Sequence, residues 1–135
     1  MKIFALMLTG ALGTLARYGF SIAIQNWVEV WGDRTFLGAA FPLGTLLINV
    51  LGSFLLAIVV TLTLAGTIKP EWRLILGTGF LGAFTTFSTF ELEAEHLLHT
   101  HFKAGALYIA ANLFLGFGAI LLGRFAAERV LAALP

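Results

Sequence analysis

The chain has 135 residues, of which 59% are hydrophobic and 11% are charged, and its formal net charge is +1 at pH 7. Soluble domains average roughly 45–50% apolar and roughly 25% charged residues, so this composition excludes an ordinary soluble domain and predicts an integral membrane protein. A charge so close to neutral gives no electrostatic reason to expect a nucleic-acid partner, and the absence of cysteine excludes disulfides, iron–sulfur clusters and thiol chemistry.

Uncharged runs predict four transmembrane helices in one domain, residues 1–135, because about 20 apolar residues cross a bilayer. The predicted spans are residues 2–27, a stretch within residues 35–68, a stretch that begins near Trp72 and continues through Glu91, Glu93 and Glu95, and residues 104–124. Pro42 is predicted in or just before the first turn of the second helix, where its missing N–H costs little. Short polar connections are predicted at residues 29–34, 69–73 and 96–103.

The first helix is predicted to be retained rather than cleaved, because no convincing small-residue cleavage site is present and apolar sequence resumes after Tyr18. Basic residues predict the orientation. The side that carries both termini holds Lys2, Lys69, Arg73, Arg124 and Arg129, and the other side holds Arg34 and Lys103. Because lysine and arginine favour the cytoplasmic side, both termini are predicted to lie inside the cell.

Residues 82–93, GAFTTFSTFELE, place hydroxyl groups and phenyl rings in the second half of the third span. Gly77, Gly79 and Gly82 lead into the stretch, and glycine weakens a helix. We therefore predict a break in the third helix near residues 82–86. Irregular backbone at membrane depth occurs only where protein or a water-filled path covers it, as in transporters with broken helices. The alternative is that the small residues and hydroxyls only allow close helix packing.

Polar stripes on two other helices favour a shared wet path. Thr45, Asn49 and Ser53 recur at i, i+4 and i+8 on one face of the second helix. Tyr108 and Asn112 repeat the i, i+4 spacing in the fourth helix. For Asn112 alone, the alternative is a simple interhelical hydrogen bond, worth about 1 kcal/mol.

Charged side chains within or beside the spans are further candidates. Arg17 is the single charge inside the first span and is predicted to face the bundle or a cavity; the alternative is an arginine that snorkels to the interface. Glu91, Glu93 and Glu95 either border a vestibule or form a solvated helix end. The three histidines within residues 96–101 match no zinc-site spacing, so we predict no metal site there.

The inferred lining of the path favours a small anion. Hydroxyls and an asparagine amide donate hydrogen bonds, and the edge of a phenyl ring carries partial positive charge. Phe87 and Phe90, at i and i+3, can direct ring edges at an anion that has lost part of its water. There is no run of carboxylates that would hold a cation. The chemistry alone names no particular anion.

Three segments give the chain a close resemblance to the Fluc/CrcB family of fluoride channels. They are residues 10–18 (GALGTLARY), residues 42–54 (PLGTLLINVLGSF) and residues 79–90 (GFLGAFTTFSTF), the last of them followed by Glu93. The resemblance spans the whole chain, including its length and its four helices. The TTFSTF run after a glycine-rich half-helix is specific, whereas the fourth helix and the loops resemble the family much less.

The resemblance implies a passive fluoride exporter of the inner (plasma) membrane. It implies an antiparallel, dual-topology homodimer with two pores and a structural sodium ion at its centre. Asn49 would then hydrogen-bond the permeating fluoride, and Phe87 and Phe90 would be the pore phenylalanines. The other pore positions carried over are Ser88, Thr89, Glu93, Tyr108 and Asn112. The main-chain carbonyls of Gly82 and Thr85 would hold sodium, and Arg17 matches an arginine in the family's first helix.

Two other classes remain open from the sequence. A small multidrug-resistance transporter also has four short helices, but its chemistry needs a carboxylate in the first helix, where this chain has Arg17. A structural subunit of a larger membrane complex would explain close packing without transport. A membrane enzyme is the least favoured class, because no nucleophile–base pair is visible. The five-to-two bias of basic residues departs from the near balance that dual topology requires.

Overall fold

The computed structural model describes residues 2–31 and 41–133, and within these ranges the regular structure is helical, with no strand. Helix α1 covers Lys2–Trp31 and α2 covers Leu43–Leu64. In the described part of the chain, three helices are long and apolar enough to cross a membrane, namely Lys2–Glu29 within α1, Leu43–Leu64 and Phe102–Ala132. The predicted all-α, multi-pass membrane protein is therefore confirmed.

A segmented helix lies between α2 and the last helix. The elements are α3 (Pro70–Trp72), the π-helix π1 (Arg73–Leu81), α4 (Gly82–Phe84), α5 (Phe87–Thr100) and α6 (Phe102–Ala132). The wider turn of π1 continues to its end, where the Gly82 N–H donates to the Gly77 carbonyl five residues earlier. Thr85 and Thr86 then adopt extended backbone, with φ/ψ of −77°/159° and −148°/114°. We call these two threonines the interruption.

The predicted connections at residues 69–73 and 96–103 are wrong in their boundaries. Residues 96–100 belong to α5, and His101 alone separates α5 from α6. This tight junction requires Gly105, because a Cβ there would lie 2.7 Å from the Leu98 nitrogen. Pro70, predicted in a loop, instead opens α3 at its first position, where a fixed φ suits helix entry. The predicted N-terminal placement of Pro42 is confirmed, since it is the N-cap of α2.

The long outer helices extend beyond their predicted ends. α6 continues past residue 124, where Arg124 and Glu128 form an exposed i, i+4 ion pair with a 3.3 Å N–O distance. Glu29, predicted in a connection, lies within α1. The rest of that connection, residues 32–34, lies outside the described residues, and so does the placement of Arg34.

α2 is the central helix and packs along α6, while α1 packs on π1 and α4. A buried cluster joins α2 and the residues just before it to α5 and α6. Its members are Phe41, Leu46, Phe90, Ala94, Leu97 and Tyr108. α1 turns large apolar side chains outward, including Phe4 and Leu15, as expected of a helix in contact with lipid. The interruption is therefore flanked by α1 on one side and by α2 with α6 on the other.

Candidate functional site

The interruption is organised by its own hydroxyls. Thr86 is the N-cap of α5, and its Oγ1 accepts the Thr89 N–H at 3.4 Å and lies 2.8 Å from the Thr89 hydroxyl oxygen. Threonine suits this position, because an N-cap oxygen satisfies one of the free N–H groups of the first turn. The Thr85 hydroxyl donates back to the Leu81 carbonyl at 3.0 Å. The second half of the segment can therefore begin as a helix at Phe87.

Asn49 of α2 pairs with both backbone groups of Thr86. Its Oδ1 accepts the Thr86 N–H at 2.9 Å, and its Nδ2 donates to the Thr86 carbonyl at 3.1 Å. The orientation of the carboxamide follows from chemistry, since a backbone N–H can only donate and must face the oxygen. Asn49 thus satisfies the N–H that the interruption removes from helical hydrogen bonding, as an apolar membrane interior demands, and adds a donor to the carbonyl of the same residue.

Asn112 of α6 connects to the same pair. Its Oδ1 accepts the second N–H of Asn49 Nδ2 at 3.3 Å, and its own Nδ2 donates to the Tyr108 carbonyl at 3.0 Å. Asn112 is buried, with 9% of its surface exposed. The two asparagines predicted from the stripes of α2 and α6 therefore meet at the interruption.

Glu93 forms a second polar layer further along α5. Its Oε1 accepts the Thr45 hydroxyl of α2 at 2.9 Å, and its Oε2 accepts the Tyr108 hydroxyl of α6 at 2.7 Å. Tyr108 is fully buried. A carboxylate in such surroundings needs hydrogen-bond donors, and each oxygen has one. The polar residues of α2 and α6 thus hold α5 twice, at its N-cap and near its second turn.

A cavity of about 280 Å³ lies beside the interruption. Six of the predicted site residues line it: Asn49, Gly82, Thr85, Phe87, Phe90 and Asn112. The Phe87 and Phe90 rings lie 5.6 Å apart between centroids and are tilted by 54°. Phe90 is buried and packs against Tyr108, whereas Phe87 is 67% exposed on the single chain. The cavity therefore combines an amide, hydroxyls and phenyl rings, the set that the sequence predicted.

The remaining predicted residues lie elsewhere. Thr89 and Glu93 line a second cavity, of about 550 Å³, together with Thr45. Tyr108 lines neither cavity, but its hydroxyl donates to Glu93, its ring packs against Phe90 and its carbonyl accepts from Asn112. Ser88 is exposed and is not part of the 280 Å³ cavity wall. Eight of the predicted site residues thus line one of two cavities, and Ser88, Tyr108 and Arg17 line neither.

Arg17 faces the bundle, as one of its two interpretations predicted. It is half-buried, and its Nη1 lies 3.5 Å from the Thr85 carbonyl. This distance is beyond the usual 2.7–3.2 Å range of N–H···O hydrogen bonds, so the contact is weak in geometry but charge-assisted.

Two main-chain carbonyls lose their helical donors at the interruption. In a continuous helix the Thr86 N–H would donate to Gly82, and the Thr89 N–H to Thr85. Here those N–H groups donate to Asn49 Oδ1 and to Thr86 Oγ1. Neutral carbonyl oxygens of this kind suit a hard cation. Among the described residues, no group of three or more His, Cys, Asp or Glu side chains could hold a metal.

The sequence did not single out Thr86 or Gly52 for the site. Gly52 lines the 280 Å³ cavity, and a Cβ at this position would collide with the Thr85 methyl group. The sequence pattern that could have indicated Gly52 is its position one turn after Asn49 on the same helix. Thr86 lies within the predicted break at residues 82–86, but the pairing of its backbone groups with Asn49 was not predicted.

Comparison with known proteins identifies the family. Residues 4–124 match the family described as CrcB-like protein, Camphor Resistance (CrcB). A protein of Acidobacterium capsulatum called fluoride-specific ion channel FluC is 41% identical over 134 residues, which cover 98% of this chain and 100% of the relative. Proteins of the same name from Saccharophagus degradans and Thermus thermophilus are 40% and 43% identical; the alignments cover 93% and 86% of this chain and 89% and 86% of those relatives. The chain belongs to the CrcB family.

Proposed function

We propose that this protein is a fluoride-specific ion channel that gives passive export of fluoride across the cell's inner membrane. The names of its relatives support the choice of fluoride. The observation that carries the proposal is the cavity at the interruption, where an amide, hydroxyls and phenyl rings surround a small space. Its role is transport, so no enzymatic step is involved.

In the proposed pore, aromatic rings and hydrogen-bond donors stabilise the anion by different interactions. Ring edges of Phe87 and Phe90 offer partial positive charge without a formal cation, which stabilises an anion while leaving it free to move on. The hydroxyls of Ser88 and Thr89 provide hydrogen-bond donors. Asn49 was predicted to bond fluoride directly, but its two amide hydrogens bond Thr86 and Asn112, so its proposed role is to hold the site in shape. Glu93 and Tyr108 complete the proposed track, and Asn112 borders it beside Asn49. A channel needs binding that is strong enough for entry and weak enough for exit.

The proposed third transmembrane span is the segment from α3 through α5, broken at Thr85 and Thr86. Support comes from the side chains that replace the lost helical bonds, above all Asn49 on Thr86. Such replacement is what permits irregular backbone at membrane depth. This segment and the three long helices form one proposed channel domain, residues 1–135.

The proposed working unit is an antiparallel, dual-topology homodimer with two pores. The 280 Å³ cavity is bounded on one chain by the exposed ring of Phe87, so a second copy could close it. Cross-linking in liposomes and mass photometry in detergent test the assembly. A monomer that conducts fluoride would contradict it.

Sodium is the proposed structural ion, held by the carbonyls of Gly82 and Thr85. Those carbonyls fit, because the N–H groups that would have bonded them donate elsewhere. Arg17 stands 3.5 Å from the Thr85 oxygen, so its positive charge must withdraw for a cation to bind there. When bound, sodium would offset the mutual repulsion of converging carbonyl oxygens. Loss of fluoride flux after sodium depletion is expected, while Thr85→Ala, which keeps the carbonyl, should retain much of the flux.

The decisive experiment is fluoride efflux from liposomes that contain only this protein, with chloride as the control anion. Fluoride efflux without chloride efflux is the expected result. Proton-coupled uptake of an aromatic cation would instead indicate a multidrug-resistance-type transporter. Absence of any ion flux would favour a structural subunit.

A further inference from the structure

We infer that Asn112 is a positioning residue, which acts on the conduction site through Asn49 rather than by contacting the ion. Any effect on transport rests on the proposed function above, whereas the effect on the backbone at Thr86 does not. Asn112 lines the cavity beside Asn49, so its position alone would also suit a direct ligand. Its hydrogen bond to Asn49 points to the positioning role.

The carboxamide of Asn112 is held by two hydrogen bonds within the protein. One N–H of its Nδ2 donates to the Tyr108 carbonyl of its own helix, and its Oδ1 accepts from Asn49 Nδ2. A carbonyl oxygen is an acceptor and cannot donate a hydrogen bond to fluoride. The bond within α6 fixes the rotation of the Asn112 carboxamide and so keeps its oxygen on Asn49.

Asn49 has both amide hydrogens engaged by the protein. One donates to the Thr86 carbonyl and the other donates to Asn112 Oδ1. These two bonds, with the Thr86 N–H on Oδ1, leave the carboxamide a single orientation. Without Asn112, one anchor is lost, and rotation of the Asn49 side chain would release both backbone groups of Thr86. Asn112 therefore sets the geometry of the interruption from the opposite helix.

A double-mutant cycle on fluoride efflux tests this coupling. In the parent, Asn112→Leu should slow efflux about threefold to tenfold, the effect of one lost neutral hydrogen bond. In an Asn49→Ala background, the same substitution should cause no additional slowing, because its partner is already absent. Equal slowing in both backgrounds would show that Asn112 acts independently of Asn49 and would overturn the assignment.

A spectroscopic measurement tests the same role without transport. The backbone amide resonance of Thr86 in an NMR spectrum reports its hydrogen bond to Asn49 Oδ1. Asn112→Leu should shift that resonance towards its position in Asn49→Ala. Thr63→Ala is the control, because the Thr63 hydroxyl donates to Val59 within α2, and it should leave the resonance in place. A Thr86 resonance unmoved by Asn112→Leu would overturn the assignment, even if the parent carried no fluoride.

Discussion

The two flanks of the segmented helix are held by different means. On the α1 side, backbones approach closely at glycine: Gly13 faces the Phe80 carbonyl so tightly that a Cβ would collide with it. On the α2 and α6 side, side chains form hydrogen bonds across helices, as Asn49 does with Thr86 and Thr45 does with Glu93. One flank relies on shape and the other on polar pairing.

The difference follows from the backbone that each flank must accommodate. The wider turn of π1 continues to its end, where Gly82 N–H bonds Gly77, so against π1 α1 needs only a complementary surface, and small residues provide it in membranes. The polar contact of α1 is at the interruption, from Arg17 to the Thr85 carbonyl. The interruption leaves the Thr86 N–H without a helical acceptor, so Asn49 of α2 must supply one, and Asn112 of α6 holds Asn49 in place. We therefore expect the α1 flank to be sensitive to added volume and the other flank to be sensitive to lost or inverted hydrogen bonds.

Asn49→Asp should have the largest effect. The carboxylate cannot donate to the Thr86 carbonyl or to Asn112 Oδ1, so two acceptors would face a negative charge. Unsatisfied buried groups cost about 1–3 kcal/mol each, so we expect fluoride efflux to fall by a factor of about 100 or more. Single-turnover efflux from liposomes measures it. Parent-like efflux would mean that polar pairing at Thr86 is not needed for conduction.

Gly13→Val should destabilise the fold on the other flank. The added side chain meets the Phe80 main chain and the Ala83 Cβ, and overpacking of this kind costs about 1–3 kcal/mol. Gly19→Val is the matched control, because a Cβ at Gly19 meets nothing within 4 Å. Thermal unfolding in detergent should show a lower midpoint for the first variant only. Equal midpoints would remove the case for tight packing on this flank.

Thr45→Val tests a hydroxyl that donates to another helix, and Thr63→Val is its control at a hydroxyl that donates within its own helix. It removes the donor to Glu93 Oε1 and leaves a carboxylate oxygen unsatisfied, so a loss of about 1–3 kcal/mol of unfolding free energy is expected. Thr63→Val should be nearly neutral, since that hydroxyl bonds only within its own helix, to Val59. The unfolding free energies of both variants, measured in the same detergent, test this difference. A similar loss for both would contradict the polar role of Thr45.

Phe90→Ile should have the smallest of the four effects. It keeps apolar bulk but removes the ring that lies 5.6 Å from Phe87 and 5.5 Å from Tyr108. Loss of an aromatic contact worth about 0.5–1.5 kcal/mol corresponds to a decrease in fluoride efflux of about twofold to tenfold. Phe4→Ile, at an exposed position of α1, is the control. Unchanged efflux for Phe90→Ile would remove the ring edge from the proposed pore.

The sequence alone determined the class of protein and most of its helices. Apolar length is a local property, so membrane-spanning helices can be read from runs of about 20 residues. Pro42 could be placed for the same reason, because its preference for a helix N-terminus depends only on its own ring and missing N–H. The i, i+4 stripes correctly put Thr45 and Asn49 on one face of α2.

Tertiary structure decided the partners of these residues. Asn49 is 37 residues from Thr86 and 63 from Asn112, and Thr45 is 48 residues from Glu93, so no local pattern pairs them. The direct junction of α5 and α6 depended on the close approach of Gly105 to Leu98, which the polar residues 96–103 concealed. Hydrogen bonds and close contacts depend on sub-ångström distances between helices, and only the packed chain sets those distances.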